Sequence, residues 1–191
     1  MVRLALAKAL DRDLFIKQGL FGNGVAAHGT INPAMGFYFD DNLSKTSEQA
    51  YDPEGAKALL AAAGYPGGKG FPELKLITTP NGKRLGLVVA NIYKKVLGIT
   101  VTVDPKDVSV GMEQFNKMDF DMRLGGSGGD YDPDDGVVDW MQTKSKFNGR
   151  ARNKDIHPFG FFSSAEADAA IAKQSVTADP TERKKLVQKA N

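Results

Sequence analysis

The sequence contains no cysteine, which excludes a disulfide framework, a thiolate metal site and a cysteine nucleophile. Histidine is nearly as scarce. His28 and His157 are the only two, so a site built from several histidines cannot form within this chain. No apolar run approaches the roughly 18 residues of a membrane span, and no signal-peptide pattern is visible. The net charge of +2 gives no strong field for nucleic acid or a membrane surface.

The residues that are present describe an ordinary globular chain. Hydrophobic residues make up 41% and charged residues 25% of the sequence. A length of 191 residues fits one large domain or two small ones, and such a chain buries roughly 70% of its unfolded surface. A sizeable core is therefore expected.

The middle of the sequence predicts an α/β fold with parallel strands. Residues 74–79, 99–103 and 120–124 have the composition or the alternation of strands. Between the first two lies a helical pattern that Asn81 is expected to cap and Gly98 to end. Its apolar residues recur every three or four positions: Leu85, Val88, Val89, Ile92, Tyr93 and Val96. With a short helix at 109–117, the order is βαβαβ, which implies parallel strands and right-handed crossovers.

Helices are predicted on both sides of this core. Residues 2–20 have helical spacing, with a break at 11–13. A second helix begins at Pro53 behind the capping residue Asp52 and ends at Gly64. Residues 21–50, rich in glycine and polar residues, are predicted to form a long irregular connection of the kind that crosses between lobes.

Two helices are also expected after the core. The spacing of Ser163 and Glu166 suggests a capping box that opens a helix through about Val176, and Asp179-Pro180 is a strong helix start. The last helix reaches Asn191 without a stop signal, and the first has no capping residue before it. We therefore expect the sequence to be an excised piece of a longer protein.

The most informative stretch follows the third predicted strand. Residues 125–129 read Gly-Gly-Ser-Gly-Gly, and aspartates stand at 130, 132, 134 and 135. Glycines let another molecule approach the backbone closely, and α/β proteins bind ligands beyond the carboxyl ends of their strands. Carboxylates at such a turn suggest a cationic ligand group.

Other chemistries fit this stretch less well. Alternate aspartates at 130, 132 and 134 resemble a calcium loop, but position six is not glycine and position twelve is Met141. Seven acids against one base between 119 and 139 repel phosphate. Ser127 has the letters of a nucleophile elbow without the strand-to-helix setting. A basic run at 144–154 raises an interaction domain as a further alternative.

Several segments resemble the family 5 extracellular solute-binding proteins, the dipeptide, oligopeptide and nickel receptors of ABC importers. They are residues 2–12, 51–66, 97–101, 119–122, 129–134 and 179–183, in the family's order and spacing. Residues 51–66, which run from Tyr-Asp-Pro-Glu to Ala-Gly-Tyr-Pro, are the most specific.

The resemblance implies a periplasmic-binding-protein-like lobe with additional C-terminal helices. Residues 1–191 would form the C-terminal lobe of a two-lobed receptor that has no catalytic role and needs no cofactor or metal. The implied partners are a small or peptide-like solute, the missing N-terminal lobe and a membrane permease, without nucleic acid. The implied location is the periplasm or, with a lipid anchor, the cell exterior.

The resemblance also implies which residues hold the solute. In peptide-binding members, the aspartate after the glycine turn pairs with the ligand's α-amine, and this role falls on Asp130. Gly128, Gly129 and Tyr131 stand beside it, and Ser127 takes a position where the family often has tryptophan. A charge-assisted hydrogen bond suits this purpose, since it is roughly twice as strong as a neutral one.

Overall fold

The computed structural model describes residues 1–117, 119–126, 131–145 and 163–191. The chain divides into two compact units, and each is assembled from two stretches of sequence. Unit 1 consists of Met1–His28 and Ser44–Gly126, and unit 2 of Gly29–Leu43 with the described part of Ser127–Asn191. Within the described ranges, no helix has the length and apolarity needed to cross a membrane.

Unit 1 contains the predicted parallel sheet. Its strands are β1 (Leu74–Thr78), β2 (Val101–Pro105) and β3 (Met122–Arg123), in the order β2-β1-β3. Both pairings are parallel, and they place Leu76 opposite Val103 on one side and Met122 on the other. The βαβαβ prediction is therefore confirmed, with the first strand at the centre of the sheet.

The crossover helix α5 (Lys83–Leu97) covers one face of this sheet. A Cβ atom on Gly86 would lie 2.8 Å from Val103 Cγ1 and 3.3 Å from Leu76 Cδ2, so glycine allows the helix to approach the strands closely. The helix ends at Gly98, as predicted, because φ there is +74° and glycine adopts that conformation without strain.

The second crossover helix, α6 (Val108–Lys117), belongs to the opposite face. Side chains alternate along a strand, so Ile77 points away from the face that carries Leu76. Arg123 stands opposite Ile77 in the register, and its guanidinium lies 4.5 Å from the ring centre of Phe115 on α6. The two crossovers therefore enclose the sheet from both sides.

Three helices complete the core of unit 1: α1 (Val2–Ala9), α2 (Arg12–Gly19) and α4 (Pro53–Ala62). The predicted break falls between α1 and α2, where Asp11 caps α2 by accepting from Leu14 N at 2.8 Å. Asp52 caps α4 in the same way, accepting from Gly55 N at 2.8 Å. α1 packs against α4 through small or apolar buried side chains: Ala5, Ala9, Ala56 and Leu60.

The segment between α2 and α4 contains two short helices. They are a 3₁₀ helix at Pro33–Tyr38 and α3 (Leu43–Thr46). Two further 3₁₀ turns lie at Pro66–Gly68 and Pro80–Gly82.

Unit 2 is helical in its described part, with α7 (Asp134–Met141), α8 (Ala165–Gln174) and α9 (Pro180–Ala190). Asp179 caps α9 as predicted, accepting from Glu182 N at 2.8 Å. The core also draws on the Gly29–Leu43 stretch, and its buried residues are Ile31, Met35, Val137, Ala170, Ile171, Val187 and Ala190. Asn191 Oδ1 joins the two stretches by accepting from Thr30 N at 2.6 Å and Ile31 N at 3.2 Å.

Two predicted capping residues were wrong for local reasons. Thr79, not Asn81, is the capping residue before α5; its hydroxyl accepts from Gly82 N at 3.2 Å, and α5 starts only at Lys83. Ser164, not Ser163, caps α8 by accepting from Ala167 N at 3.2 Å. Ser163 instead accepts a hydrogen bond from the Thr143 hydroxyl.

The third strand is shorter than predicted. It covers Met122–Arg123 and not residues 120–124, because Lys75 N donates to the side chain of Asp121 at 2.8 Å. A side-chain carboxylate thus takes the place of a backbone acceptor before the strand begins.

Candidate functional site

A cavity of about 240 Å³ lies at the carboxyl ends of the three strands of unit 1. Each strand contributes the residues that follow its last hydrogen-bonded positions. The lining is Ile77, Thr78, Thr79, Lys106, Asp107, Val108, Gly111, Met112, Arg123, Leu124, Gly125 and Gly126. Every lining residue belongs to unit 1, so one sheet and its loops build the cavity.

The strand order explains why a cavity forms here. From the central β1 the chain crosses to β2 on one side, and from β2 it crosses back to β3 on the other. The loops that leave neighbouring strands therefore diverge, and a crevice opens outside their carboxyl ends. The loop after β2 and the first turn of α6 form one wall, and the chain after β3 forms another.

Arg123 supplies a positive charge at this edge. Its guanidinium stacks on Phe115, whose ring is itself stacked on Phe120 with 6.0 Å between the ring centres. Arg123 is exposed, and no described carboxylate lies within ion-pair distance of it. The other lining cation, Lys106, is paired with Asp104 at 2.9 Å.

Thr78 adds a buried polar group at the end of β1. The residue is 6% exposed, and its hydroxyl finds no hydrogen-bond partner among the described residues. The hydroxyl packs against Gly82, at the turn that leads into α5. The cavity thus combines an apolar floor with a small number of polar groups, which is the usual make-up of a ligand site.

The sequence-predicted site residues lie next to this cavity along the chain. Ser127, Gly128, Gly129 and Asp130 lie outside the described residues. Tyr131 is described and is 78% exposed. The glycine turn itself begins with Gly125 and Gly126, which line the cavity.

Two of the acidic residues beyond the turn are engaged in a network within unit 2. Arg183 donates to both carboxylate oxygens of Asp132, with Nη1 at 3.0 Å and Nη2 at 2.7 Å. Its Nε donates to Gln174 Oε1 at 3.0 Å, and the Gln174 amide in turn donates to Asp134. Gln174 is completely buried, so the network reaches into the packed interior, whereas the Asp132 and Asp134 side chains are about half exposed.

This network also shifts the pKa values of Asp132 and Arg183. The hydrogen bonds from Arg183 hold the pKa of Asp132 below its usual value, and the hydrogen bonds to Asp132 raise the pKa of Arg183. In the described part of the chain, no three histidine, aspartate or glutamate side chains gather as a metal site would require. Asp132 and Asp134 therefore have partners within unit 2, whereas Asp130, the first position of the calcium-loop pattern, lies outside the described residues.

Of the residues that a serine hydrolase would need, Ser127 and His157 lie outside the described residues. His28 lies in unit 1, where burial lowers its pKa and Nδ1 is buried without a hydrogen-bond partner among the residues described.

Sequence reasoning missed the part of the cavity formed by the loop after β2 and by α6. The motif search concentrated on the glycine-rich segment, whereas Lys106–Met112 contain no motif. The available signal was topological, since parallel strands bring all their carboxyl ends to one edge.

The fold and the cavity define a class of protein: an α/β ligand-binding lobe with its site beyond the carboxyl ends of parallel strands. Within that class the family is clear. Residues 1–149 match the model of the bacterial extracellular solute-binding proteins, family 5 (middle part), and the chain belongs to this family. The predicted family and fold class are confirmed.

Curated relatives agree with this assignment. The chain is 29% identical over 192 residues to the periplasmic oligopeptide-binding protein OppA of Salmonella typhimurium, covering 99% of this chain and 33% of the relative. It is 32% identical over 133 residues to the periplasmic murein peptide-binding protein MppA of Escherichia coli, and this match covers 68% of this chain and 25% of the relative. The matches therefore span about a quarter to a third of the length of these relatives.

Solved structures share this fold. The oligopeptide-binding protein OppAIV of Borrelia burgdorferi is 27% identical with a TM-score of 0.80, and the match covers 99% of this chain and 35% of that one. The binding protein AgaA from A. tumefaciens R10, solved with agropinic acid, is 26% identical with a TM-score of 0.72, covering 99% and 37%. These relatives are described as binding proteins and not as enzymes.

Proposed function

We propose that this chain is the C-terminal lobe of the solute-binding component of an ABC importer. The observation that carries the proposal is the cavity outside the carboxyl ends of β1, β2 and β3, whose wall continues into the glycine turn. The whole receptor captures a solute between this lobe and an N-terminal lobe and presents it to a membrane permease. Its location is the periplasm or, with a lipid anchor, the cell exterior.

Closure of the receptor needs a difference in affinity between its open and closed states. A ligand that contacts both lobes only in the closed form stabilises that form by the extra contacts. In this mechanism the present lobe supplies half of the contacts, so it binds the solute weakly by itself. The permease then recognises the closed form.

The charges of this chain favour a solute that carries one positively and one negatively charged group. Arg123 gives the cavity a guanidinium without a described carboxylate partner, which suits a carboxylate group of the solute. Asp130 is proposed to bind an ammonium group, with Ser127, Gly128, Gly129 and Tyr131 beside it. A peptide has both groups, and several relatives are named for peptides.

The test uses the full-length protein and calorimetric titration with a mixed set of tripeptides. Asp130→Ala is expected to weaken binding by about 1.5–3 kcal/mol, the scale of a hydrogen bond to a charged group. Arg123→Gln is expected to weaken the binding of peptides with a free C-terminal carboxylate more than the binding of the same peptides as C-terminal amides. Lys57→Gln is the control, because Lys57 is exposed on α4 and pairs only with Glu54 at the surface. Unchanged affinity in Asp130→Ala would remove that residue from the site, and no binding of any peptide would refute a peptide as the solute.

A further inference from the structure

One wall of the cavity is apolar and open to solvent. Val108 and Met112 stand one helical turn apart at the start of α6, and they are 66% and 38% exposed. Gly111 lies between them on the same side, and the floor is formed by Ile77, which is 1% exposed. Single exposed apolar residues are common on protein surfaces, but these two border the same cavity.

Gly111 is the second observation. Among the described residues, a Cβ atom built there meets only Lys106 Cβ, at 3.7 Å, which is an ordinary contact. Packing against the described part of the chain therefore does not require glycine at this position. Glycine is also one of the poorest residues for a helix interior, so local stability favours almost any replacement. What glycine provides at position 111 is open volume beside the cavity.

The size of the cavity limits what can occupy it. Sites that enclose whole small ligands usually have about 300–1,000 Å³, and this cavity has about 240 Å³. A helix from another protein is roughly 10–12 Å wide and needs a groove rather than such a crevice. Part of a small solute fits better than either.

We propose that this cavity is a subsite for one apolar substituent of the solute, with Val108, Gly111 and Met112 setting the size accepted. The proposal rests on the function proposed above and adds a preference among solutes. An aliphatic or aromatic group enters against Ile77 and the α6 wall, while Arg123 at the rim stays available to a carboxylate. Removing the apolar wall from water gives the affinity, and the flexible Met112 adapts to the shape of the group.

The experiment is calorimetric titration of the full-length protein with tripeptides. One position at a time carries Gly, Ala, Val, Leu, Phe, Lys or Glu. We expect one position at which Leu or Phe binds about tenfold or more tightly than Gly, since even one methylene in an apolar pocket changes affinity by about tenfold or more. At that position Lys and Glu are expected to bind worst.

Two variants change the subsite in opposite directions. Gly111→Leu fills it, so Leu and Phe peptides are expected to lose about tenfold in affinity while Gly peptides are unaffected. The melting temperature of this variant is expected to rise, because leucine favours the helix; a merely damaged protein would melt earlier. Met112→Ala widens the subsite and is expected to shift the preference towards Phe.

The control is Val110→Leu, on the same helix and 46% exposed but outside the cavity lining. It is expected to leave the ranking of peptides unchanged. Peptide binding with no apolar preference at any position, or the same ranking in Gly111→Leu, overturns the subsite and leaves the receptor function standing. Failure of every peptide to bind the wild-type protein refutes the proposed solute class and the subsite with it.

Discussion

The two units are held together by different interactions. Unit 1 packs a parallel sheet and four helices around a continuous apolar core, with five fully or nearly buried residues on α5 alone: Gly86, Val89, Ile92, Tyr93 and Leu97. Unit 2 has a smaller apolar core and, beside it, the charged network of Arg183, Asp132, Gln174 and Asp134. Burial of apolar surface is insensitive to pH and local geometry, whereas a bidentate ion pair depends on both.

The cavity and the charged network lie in different units. The cavity belongs to unit 1, and the exposed apolar residues Val108 and Met112 line it. In unit 2, Arg183 fixes Asp132, one of the acidic residues that follow the glycine turn. The cavity and the charged network thus consist of different residues, so variants can test the two separately.

The largest expected effect is in the core of unit 1. Ile92→Ala removes a side chain that is 2% exposed, so the free energy of unfolding should fall by about 2–5 kcal/mol from lost burial and the cavity left behind. Urea denaturation followed by circular dichroism measures it. Leu87→Ala, on the same helix but 53% exposed, is the control and should cost less than about 0.5 kcal/mol. Equal losses in the two variants would contradict the assignment of the core.

A smaller effect is expected from the network in unit 2. Arg183→Met breaks two hydrogen bonds to Asp132 and leaves the buried Gln174 Oε1 without its donor. The free energy of unfolding should therefore fall by about 1.5–3 kcal/mol. Lys185→Met on the same helix loses only a surface pair with Glu182, which is worth about 0–1 kcal/mol. Hydrogen exchange should show the Arg183→Met loss in α7–α9 and not in β1 or α5; uniform loss across both units would contradict a local role.

The smallest effect is the response to acid. The pKa of Asp132 is lowered in the folded state, so its contribution to stability is present above its unfolded value of about 3.8 and is lost as pH falls through the lower folded value. The Asp132 side chain is half exposed, and solvent therefore screens the pair. Urea midpoints measured from pH 6 to pH 2.5 should fall less steeply for Asp132→Asn than for the wild type; parallel curves would exclude this carboxylate as a source of acid sensitivity.

Local signals in the sequence were sufficient for most of the fold. Asp52-Pro53 and Asp179-Pro180 mark helix starts, and Gly98 marks a helix end, because each satisfies or terminates a backbone pattern with its own side chain or conformation. The errors arose where two residues compete for one role. Thr79 and Ser164 took the capping positions predicted for Asn81 and Ser163, and only the three-dimensional hydrogen bonds distinguish them.

The candidate site was less predictable. The glycine turn could be found from its composition, since Gly125 and Gly126 line the cavity. The opposite wall could not, because Val108 and Met112 become part of a site only when β2 and β3 lie beside β1. Their role depends on packing between residues far apart in the sequence, which no local pattern contains.

The interleaving of the two units has a consequence for biosynthesis. Ile31 and Met35 leave the ribosome about 150 residues before their buried neighbours Val187 and Ala190. At about 5–20 residues per second, the interval between residues 35 and 187 is roughly 8–30 s. During that time unit 1 can fold while the 29–43 stretch stays uncovered. Burial of Ile31 and Met35 therefore waits until α9, which carries Val187 and Ala190, has been translated.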